Sequence, residues 1–187
     1  MKYVDFSLVC DIVKNTSKRL IKVQLLRDFF AQYDEEEVMI AFDLLSGNFA
    51  REISKKEIGI SIQTTFQVLS EYFEVPLREI QSSFSKSGDI FKLVDDFTIT
   101  QRVLQKTQEL TLRDVVETME ALSLISGHNA QSKKKNKLLF LFSKTTTTIE
   151  RQFLSAYLAD LLKIGVNEGV LHDVFIFLYF PKIEKFH

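Results

Sequence analysis

Apolar side chains recur along this chain at intervals of three and four residues, which is the spacing of one face of an α-helix. The clearest stripe consists of Ile58, Ile62, Phe66, Leu69 and Phe73. The 187 residues include only six Gly and two Pro. A sheet sandwich with many tight turns normally needs more of both residue types. The pattern therefore predicts an all-α fold.

The periodicity also predicts where the helices lie. We expect helices near residues 4–14, 17–32, 35–45, 59–74, 77–84, 88–95, 111–125, 131–143, 149–163 and 168–179. Loops are expected near 46–57, 97–110 and 126–130. No unit repeats along the chain, which argues against a solenoid. We therefore expect one compact domain of about ten to twelve helices over residues 1–187, with a boundary between two lobes near 97–110.

The cysteine content and the apolar runs indicate a cellular location. Cys10 is the single cysteine, so no internal disulfide can form, and a buried structural thiol is expected. The first residues lack a secretory apolar core, and the run 174–180 is too short to cross a bilayer. We expect an intracellular protein of the cytoplasm (nucleoid) or the nucleus, with no membrane partner.

Charge is unevenly distributed, although the net charge is only −1. Two stretches, 12–27 and 126–144, carry no acidic residue. Their cations are Lys14, Lys18, Arg19, Lys22 and Arg27 in the first, and Lys133, Lys134, Lys135, Lys137 and Lys144 in the second. Segregated charge can create a basic face for phosphate groups. The ordinary alternative is that these lysines and arginines lie on solvent-exposed helix faces and bind nothing. The charge distribution by itself favours this alternative.

Three glycines precede predicted helix starts, where unpaired N–H groups and the helix dipole attract anions. Gly127 is followed by Asn129, which is expected to cap the helix that carries the second lysine run. Gly165 is followed by Asn167, another expected cap, and Gly59 leads into the helix of the first stripe. Each turn alone is more typical of a simple helix hairpin. Together with the basic stretches, the three turns favour nucleic-acid binding.

Several segments resemble the archaeal-type and eukaryotic-type ATP-dependent DNA ligases. Residues 110–115 (LTLRDV) and 126–131 (SGHNAQ), with the lysines that follow, resemble the family's L-T-x-x-x-V … S-G-x-G-S-Q-x-x-K. Residues 150–154 (ERQFL) and 162–171 (LKIGVNEGVL) are similar to E-x-x-Y-L … L-R-x-G-V-x-E-G-x-L. Segments 15–20, 57–60 and 87–90 resemble T-x-S-R-L, E-L-G-I-G and G-D-L-G. The matches follow the family's order over nearly the whole chain.

The resemblance implies an all-α, N-terminal DNA-binding domain that lies along the minor groove of nicked duplex DNA. In the family, separate adenylation and OB-fold domains complete a ring around the DNA, and contacts go mainly to phosphates and sugars, so binding is sequence-independent. The parent enzyme would use ATP and Mg in DNA replication and repair. The carried-over DNA-binding residues are Ser17, Arg19, Gly59, Gly127, Asn129, Gln131, Lys133, Lys134, Lys163, Gly165 and Asn167.

Three departures from the family pattern bear on function. The hydroxyl of the family's G-S-Q is missing at Ala130, and its Arg is Lys163, which keeps the charge without the bidentate fork. The segment 105–108 lacks the two aromatics with which some relatives bind a sliding clamp, so clamp binding is doubtful.

Ligases attach AMP to the lysine of a K-x-D-G motif, and this sequence contains none. We therefore expect no catalytic residue, cofactor or metal in this chain, with a catalytic core in cis if the parent protein is full length. The alternatives are a stand-alone relative of the ligase domain and a helical protein–protein adaptor.

Overall fold

A computed structural model describes residues 1–46, 59–98 and 109–180. In these residues the chain forms ten α-helices and no β-strand, which confirms the all-α prediction. They are α1 (Tyr3–Lys14), α2 (Arg19–Phe30), α3 (Glu35–Ser46), α4 (Ile62–Tyr72), α5 (Leu77–Ser87), α6 (Ile90–Thr98), α7 (Leu112–Ser123), α8 (Ala130–Ser143), α9 (Thr148–Leu158) and α10 (Glu168–Tyr179).

The predicted apolar stripes form the hydrophobic core. Phe66 and Leu69 of α4 are buried, as is Phe73 directly after this helix, and on α7 the buried positions include Val115, Met119 and Leu122. Ile58, the first residue of the α4 stripe, lies outside the described residues. Eight of the eleven residues of α9 are buried, because this helix packs against α1, α4 and α6. Helix α9 is therefore a central element, and α2 packs against α10 and α1 beside it.

Side-chain caps begin several helices where the sequence predicts them. The Thr111 hydroxyl accepts a hydrogen bond from the Asp114 N–H at 3.1 Å, and the Asp114 carboxylate accepts one from the Thr111 N–H at 2.9 Å. This capping box confirms the predicted start of α7. The Asn167 Oδ1 accepts a hydrogen bond from the Val170 N–H at 3.0 Å, which confirms the predicted cap of α10.

Helix α9 ends five residues earlier than predicted, at Leu158 rather than at residue 163. Asp160 takes the left-handed conformation, with φ of 59°. The Leu161 N–H then donates to the Ala156 carbonyl at 2.8 Å, and the Asp160 N–H donates to the Tyr157 carbonyl at 3.3 Å. These two bonds are a Schellman stop, which glycine usually provides and which Asp tolerates. Residues 159–167 therefore form an irregular connection that contains Gly165.

Helix α4 is shorter than predicted at both ends, since it spans 62–72 rather than 59–74. Ser61 caps its start by accepting from the Thr64 N–H at 3.2 Å. At its end, Glu74 is left-handed with φ of 54°, and the Val75 N–H donates to the Ser70 carbonyl at 3.0 Å. Helix α2 likewise begins at Arg19 rather than at residue 17. The boundaries of α4 differ because a cap and a left-handed residue, rather than apolar spacing, end this helix.

The predicted lobe boundary near 97–110 lies mostly outside the described residues and stays a prediction. Its two ends are described. Residues 97 and 98 belong to α6, so this helix extends beyond the predicted end at 95. The Leu110 carbonyl accepts a hydrogen bond from the Tyr3 N–H at 2.8 Å, and Lys2 forms an antiparallel bridge with Thr111. The predicted loop at 126–130 separates α7 from α8.

Cys10 is completely buried, and burial raises the pKa of its thiol well above the usual value. The thiol is therefore protonated and inert, as the sequence predicts. No helix in the described ranges is long and apolar enough to span a membrane.

Candidate nucleic-acid interface

Helix α2 holds the turn that contains Gly165. The Lys22 ammonium donates hydrogen bonds to the carbonyl oxygens of Ile164 at 2.8 Å and Gly165 at 3.2 Å. Lys22 is only 8% exposed. A buried ammonium with two carbonyl partners forms strong, charge-assisted hydrogen bonds. The conformation of the turn therefore depends on a residue more than 140 positions earlier in the chain.

Arg19 fastens the start of α2 to the start of α10. Its guanidinium donates to the Gly169 carbonyl at 3.1 Å and forms an ion pair with Asp173 at 2.7 Å. A Cβ at Gly169 would lie 3.2 Å from the same Arg19 nitrogen, so glycine permits this close approach. Arg19 is nevertheless 58% exposed and remains accessible to an anion.

Gly165 meets two separate requirements of this turn. Its φ of +67° is left-handed, which favours glycine. A Cβ at this position would also collide with the Lys22 ammonium. Lys163 and Asn167 flank the glycine and are exposed.

The structure thus brings together two predicted segments that are far apart in sequence. Ser17 is exposed and lies two residues before Arg19, next to these segments. We call this set the α2–α10 cluster: Ser17, Arg19, Lys22, Lys163, Gly165 and Asn167.

A second pair of predicted segments meets at Gly59. This residue is left-handed with φ of +65°, and a Cβ built on it would lie 3.5 Å from the Lys134 Nζ. Lys134 is 7% exposed, so its ammonium is held near the turn rather than in bulk solvent. Helices α4 and α8 pack side by side, with an ion pair between Lys135 and Glu71 at 2.5 Å. The turn before α4 therefore faces the basic part of α8.

The loop before α8 differs from its prediction. Gly127 is left-handed with φ of +80°, but Asn129 is left-handed as well, with φ of 63°, and its side chain makes no cap hydrogen bond. The predicted Asn129 cap is wrong, because a capping residue needs extended backbone to place its side chain over the helix start. Helix α8 therefore begins without the side-chain acceptor present at α7 and α10. Gln131 and Lys133 lie exposed in its first turn.

The predicted DNA-binding residues therefore divide between two places. The second group, which we call the α4–α8 cluster, consists of Gly59, Gly127, Asn129, Gln131, Lys133 and Lys134. In each cluster a left-handed glycine lies beside the ammonium of a buried lysine. The described residues contain no group of three or more His, Cys, Asp and Glu side chains that could hold a metal ion.

Lys22 was missing from the predicted site. The sequence feature that could have identified Lys22 is its position four residues before Leu26. This places Lys22 on the buried face of α2, together with Val23 and Phe30. A lysine on a buried stripe needs a polar partner, because an unpaired buried charge is costly. The sequence shows that a partner is required, but it does not show that the partner is the turn at 164–165.

Comparison with known proteins identifies the family of this chain. A family model described as "DNA ligase N terminus" matches residues 2–176. The chain is 25% identical over 174 residues to a DNA ligase of Methanocorpusculum labreanum, and this alignment covers 92% of this chain and 32% of that protein. It is 28% identical over 167 residues to a DNA ligase of Methanosphaera stadtmanae, which covers 87% of the chain and 30% of that protein.

A probable DNA ligase of Dictyoglomus thermophilum is 26% identical over 172 residues, which covers 92% of this chain and 28% of that protein. The chain thus spans about 30% of the length of the relatives that it matches. The family match extends from α1 into α10 and includes both clusters. The chain therefore belongs to the family of DNA ligase N-terminal domains.

Proposed function

We propose that this chain binds duplex DNA through its backbone phosphates, without regard to sequence. One observation carries the proposal. Two pairs of segments that are distant in sequence meet in the fold, and each meeting point combines a left-handed glycine turn with lysine or arginine. Glycine turns let a phosphate approach the main chain closely, and the cations supply the attraction.

The chemistry of the exposed residues favours phosphate over base contacts. Reading of bases needs side chains that enter a groove and match base edges. Four exposed members of the clusters are small or cationic, namely Ser17, Arg19, Lys133 and Lys163. Three others are amides, Asn129, Gln131 and Asn167, and the Asn167 Oδ1 already accepts the Val170 N–H as the cap of α10. Lysine attracts phosphate as a point charge and carries little sequence information. Sequence-independent binding is what sealing of arbitrary nicks requires.

In this proposal the domain anchors nicked duplex DNA along the minor groove for a catalytic core in the same protein. That core would seal the nick with ATP and Mg during replication and repair, in the nucleoid or the nucleus, and this chain would perform no catalysis. The segment 105–108, where some relatives carry a clamp-binding motif with two aromatics, has no aromatic residue and lies outside the described residues.

A protein–protein adaptor, or a stand-alone relative without a catalytic core, is the second candidate. One observation favours a protein partner: Leu8 and Ile12 lie four residues apart on α1 and are both about half exposed. An adaptor, however, has no use for cations beside glycine turns. Binding to DNA therefore separates the adaptor from the ligase domain, whereas a stand-alone relative is separated by whether the reading frame continues into a K-x-D-G domain.

The test is fluorescence anisotropy with labelled nicked duplex, intact duplex and single strand, each measured over a series of salt concentrations. We expect duplex binding that is equal for two unrelated sequences. Contact with about five phosphates gives a log–log salt slope of roughly −4 to −5. Absence of binding at low salt, or a flat slope, would contradict the proposal and leave the adaptor candidate.

A further inference from the structure

A cleft of about 310 Å³ lies between the end of α1, the start of α6 and the connection after α9. Two lysines line it, Lys14 at the end of α1 and Lys163 in the connection. Lys163 also belongs to the α2–α10 cluster, so the cleft adjoins that cluster directly. We propose, on the basis of the DNA-binding function proposed above, that this cleft holds a further backbone phosphate of the same duplex and that Lys14 contacts it.

Lys14 is held in place by an aromatic ring. Its ammonium lies 3.3 Å from the centroid of the Phe91 ring, which is a cation–π contact. Phe91 is itself anchored edge-to-face against Phe153 of α9, with ring centroids 5.1 Å apart. A long lysine side chain normally loses conformational freedom when it binds an anion. Because the ring has already oriented Lys14, less of that cost remains to be met on binding.

Neither lysine is neutralised by a direct partner. Within the described ranges, Lys14 and Lys163 form no ion pair. Asp89 also lines the cleft, but its carboxylate accepts hydrogen bonds from the N–H groups of Phe91 at 2.8 Å and Lys92 at 3.4 Å. Asp89 therefore serves as the cap of α6, and the charged lining of the cleft is two lysines and one aspartate. The Asp95 carboxylate interacts electrostatically with Lys14, but it accepts a hydrogen bond from the Gln152 amide at 2.8 Å and does not line the cleft.

The side chains that line the cleft favour a phosphodiester over a free nucleotide. A nucleotide base would need an open aromatic face to stack on, and the Lys14 ammonium covers a face of the Phe91 ring. A phosphodiester needs only the two cations and room for its oxygens and water. Lys163 lines the cleft and lies two residues before Gly165, so a strand bound by the α2–α10 cluster can extend into the cleft.

The experiment compares wild type with Lys14→Gln and Lys14→Arg in duplex binding over a series of salt concentrations. Lys92→Gln is the matched control, because Lys92 is exposed on α6 beside Phe91 but does not line the cleft. We expect Lys14→Gln to weaken duplex binding about threefold at low salt and to reduce the salt slope by about 0.9. Lys14→Arg and Lys92→Gln should bind like wild type, and thermal melts should show that all variants are folded.

Two results would overturn the inference while leaving the proposed function intact. The first is a folded Lys14→Gln variant with wild-type affinity and slope. The second is calorimetric binding of inorganic pyrophosphate that requires Lys14 while duplex binding does not, which would make the cleft a site for small anions. Failure of wild type to bind duplex at all would instead reject the proposed function together with this inference.

Discussion

Lys22 and Gly165 form the most specific single contact between the predicted segments. An ammonium that is 8% exposed bonds to two successive carbonyl groups, and the glycine leaves space for it. Each member of the pair depends on the other. Changes at these two positions therefore report on how firmly the turn is held before DNA is present.

Lys22→Met removes the ammonium and keeps most of the apolar stem. The carbonyls of Ile164 and Gly165 then lose a charged donor, which costs about 2 kcal/mol of unfolding free energy. Urea denaturation measures the change, with Lys18→Met as the control because Lys18 is exposed before α2 and caps nothing with its side chain. An unchanged midpoint for Lys22→Met would show that the turn does not need the ammonium.

Gly165→Ala and Gly127→Ala separate backbone strain from steric conflict. Both glycines are left-handed, so alanine costs about 1–2 kcal/mol at either position. Only Gly165 has the Lys22 ammonium where the new methyl group would lie, whereas Gly127 has open space. We expect Gly165→Ala to be the more destabilising by about 1 kcal/mol in thermal melts, since the methyl must displace bonded Lys22. Equal losses would contradict the role given to this contact.

At the scale of the helices, the starts of the elements determine what they can bind. Helices α7 and α10 begin with side-chain caps that satisfy their own N–H groups. Helix α8, which carries the lysine run, begins without such a cap because Asn129 is left-handed. The N–H groups at the start of α8 therefore have no side-chain acceptor, and lysines follow directly after them. This combination suits the binding of an anion.

The capping box of α7 should make stability depend on pH. Burial alone would raise the pKa of Asp114, but hydrogen bonds from Lys144 and Thr111 lower it below the usual 3.8. A carboxylate with a lowered pKa stabilises the fold above its unfolded pKa, and this stability is lost as the pH falls through the folded pKa. The advantage of wild type over Asp114→Asn in melting temperature should therefore be full above about pH 5 and shrink toward pH 3.

The control for this titration is Glu120→Gln, an exposed carboxylate on the same helix. Its melting temperature should stay close to that of wild type across the same pH range. A constant difference between wild type and Asp114→Asn from pH 7 to pH 3 would show that the Asp114 carboxylate does not carry the effect.

For the whole molecule, the proposed DNA affinity would be the sum of contacts on separate elements. The α2–α10 cluster joins the two ends of the chain, whereas the α4–α8 cluster joins two middle segments. The structure also limits which lysines can be tested by charge reversal. Lys134 is 7% exposed, so Lys134→Glu would bury a negative charge and disturb the fold as well as any contact with DNA.

Lys133 is the better probe of the α4–α8 cluster, because it is exposed in the first turn of α8. Lys133→Gln should weaken duplex binding about threefold, equally for different sequences, and reduce the salt slope by about 0.9. Lys86→Gln, an exposed lysine on α5 outside both clusters, is the control for a general loss of charge. Anisotropy titrations that give Lys133→Gln and Lys86→Gln the same affinity would exclude Lys133 from the interface.

The helical class, the core stripes and the caps at Thr111 and Asn167 could all be predicted from the sequence. Burial at intervals of three and four residues, and a hydroxyl or amide just before a helix, are local properties that neighbouring residues encode. The resemblance to ligases likewise depends on short sequence motifs that follow one another in the family's order along the chain. Predictions of this kind are confirmed by the helices and by the family match.

Only the tertiary structure decided which segments meet and where some helices stop. The stops at Glu74 and Asp160 use left-handed residues other than glycine, which local propensity disfavours and packing around the helix end can stabilise. The contact between Lys22 and the turn at Gly165 spans more than 140 residues of chain. No local pattern encodes such a pairing, because it arises from the packing of α2 against α10, and that packing assembled the candidate interface.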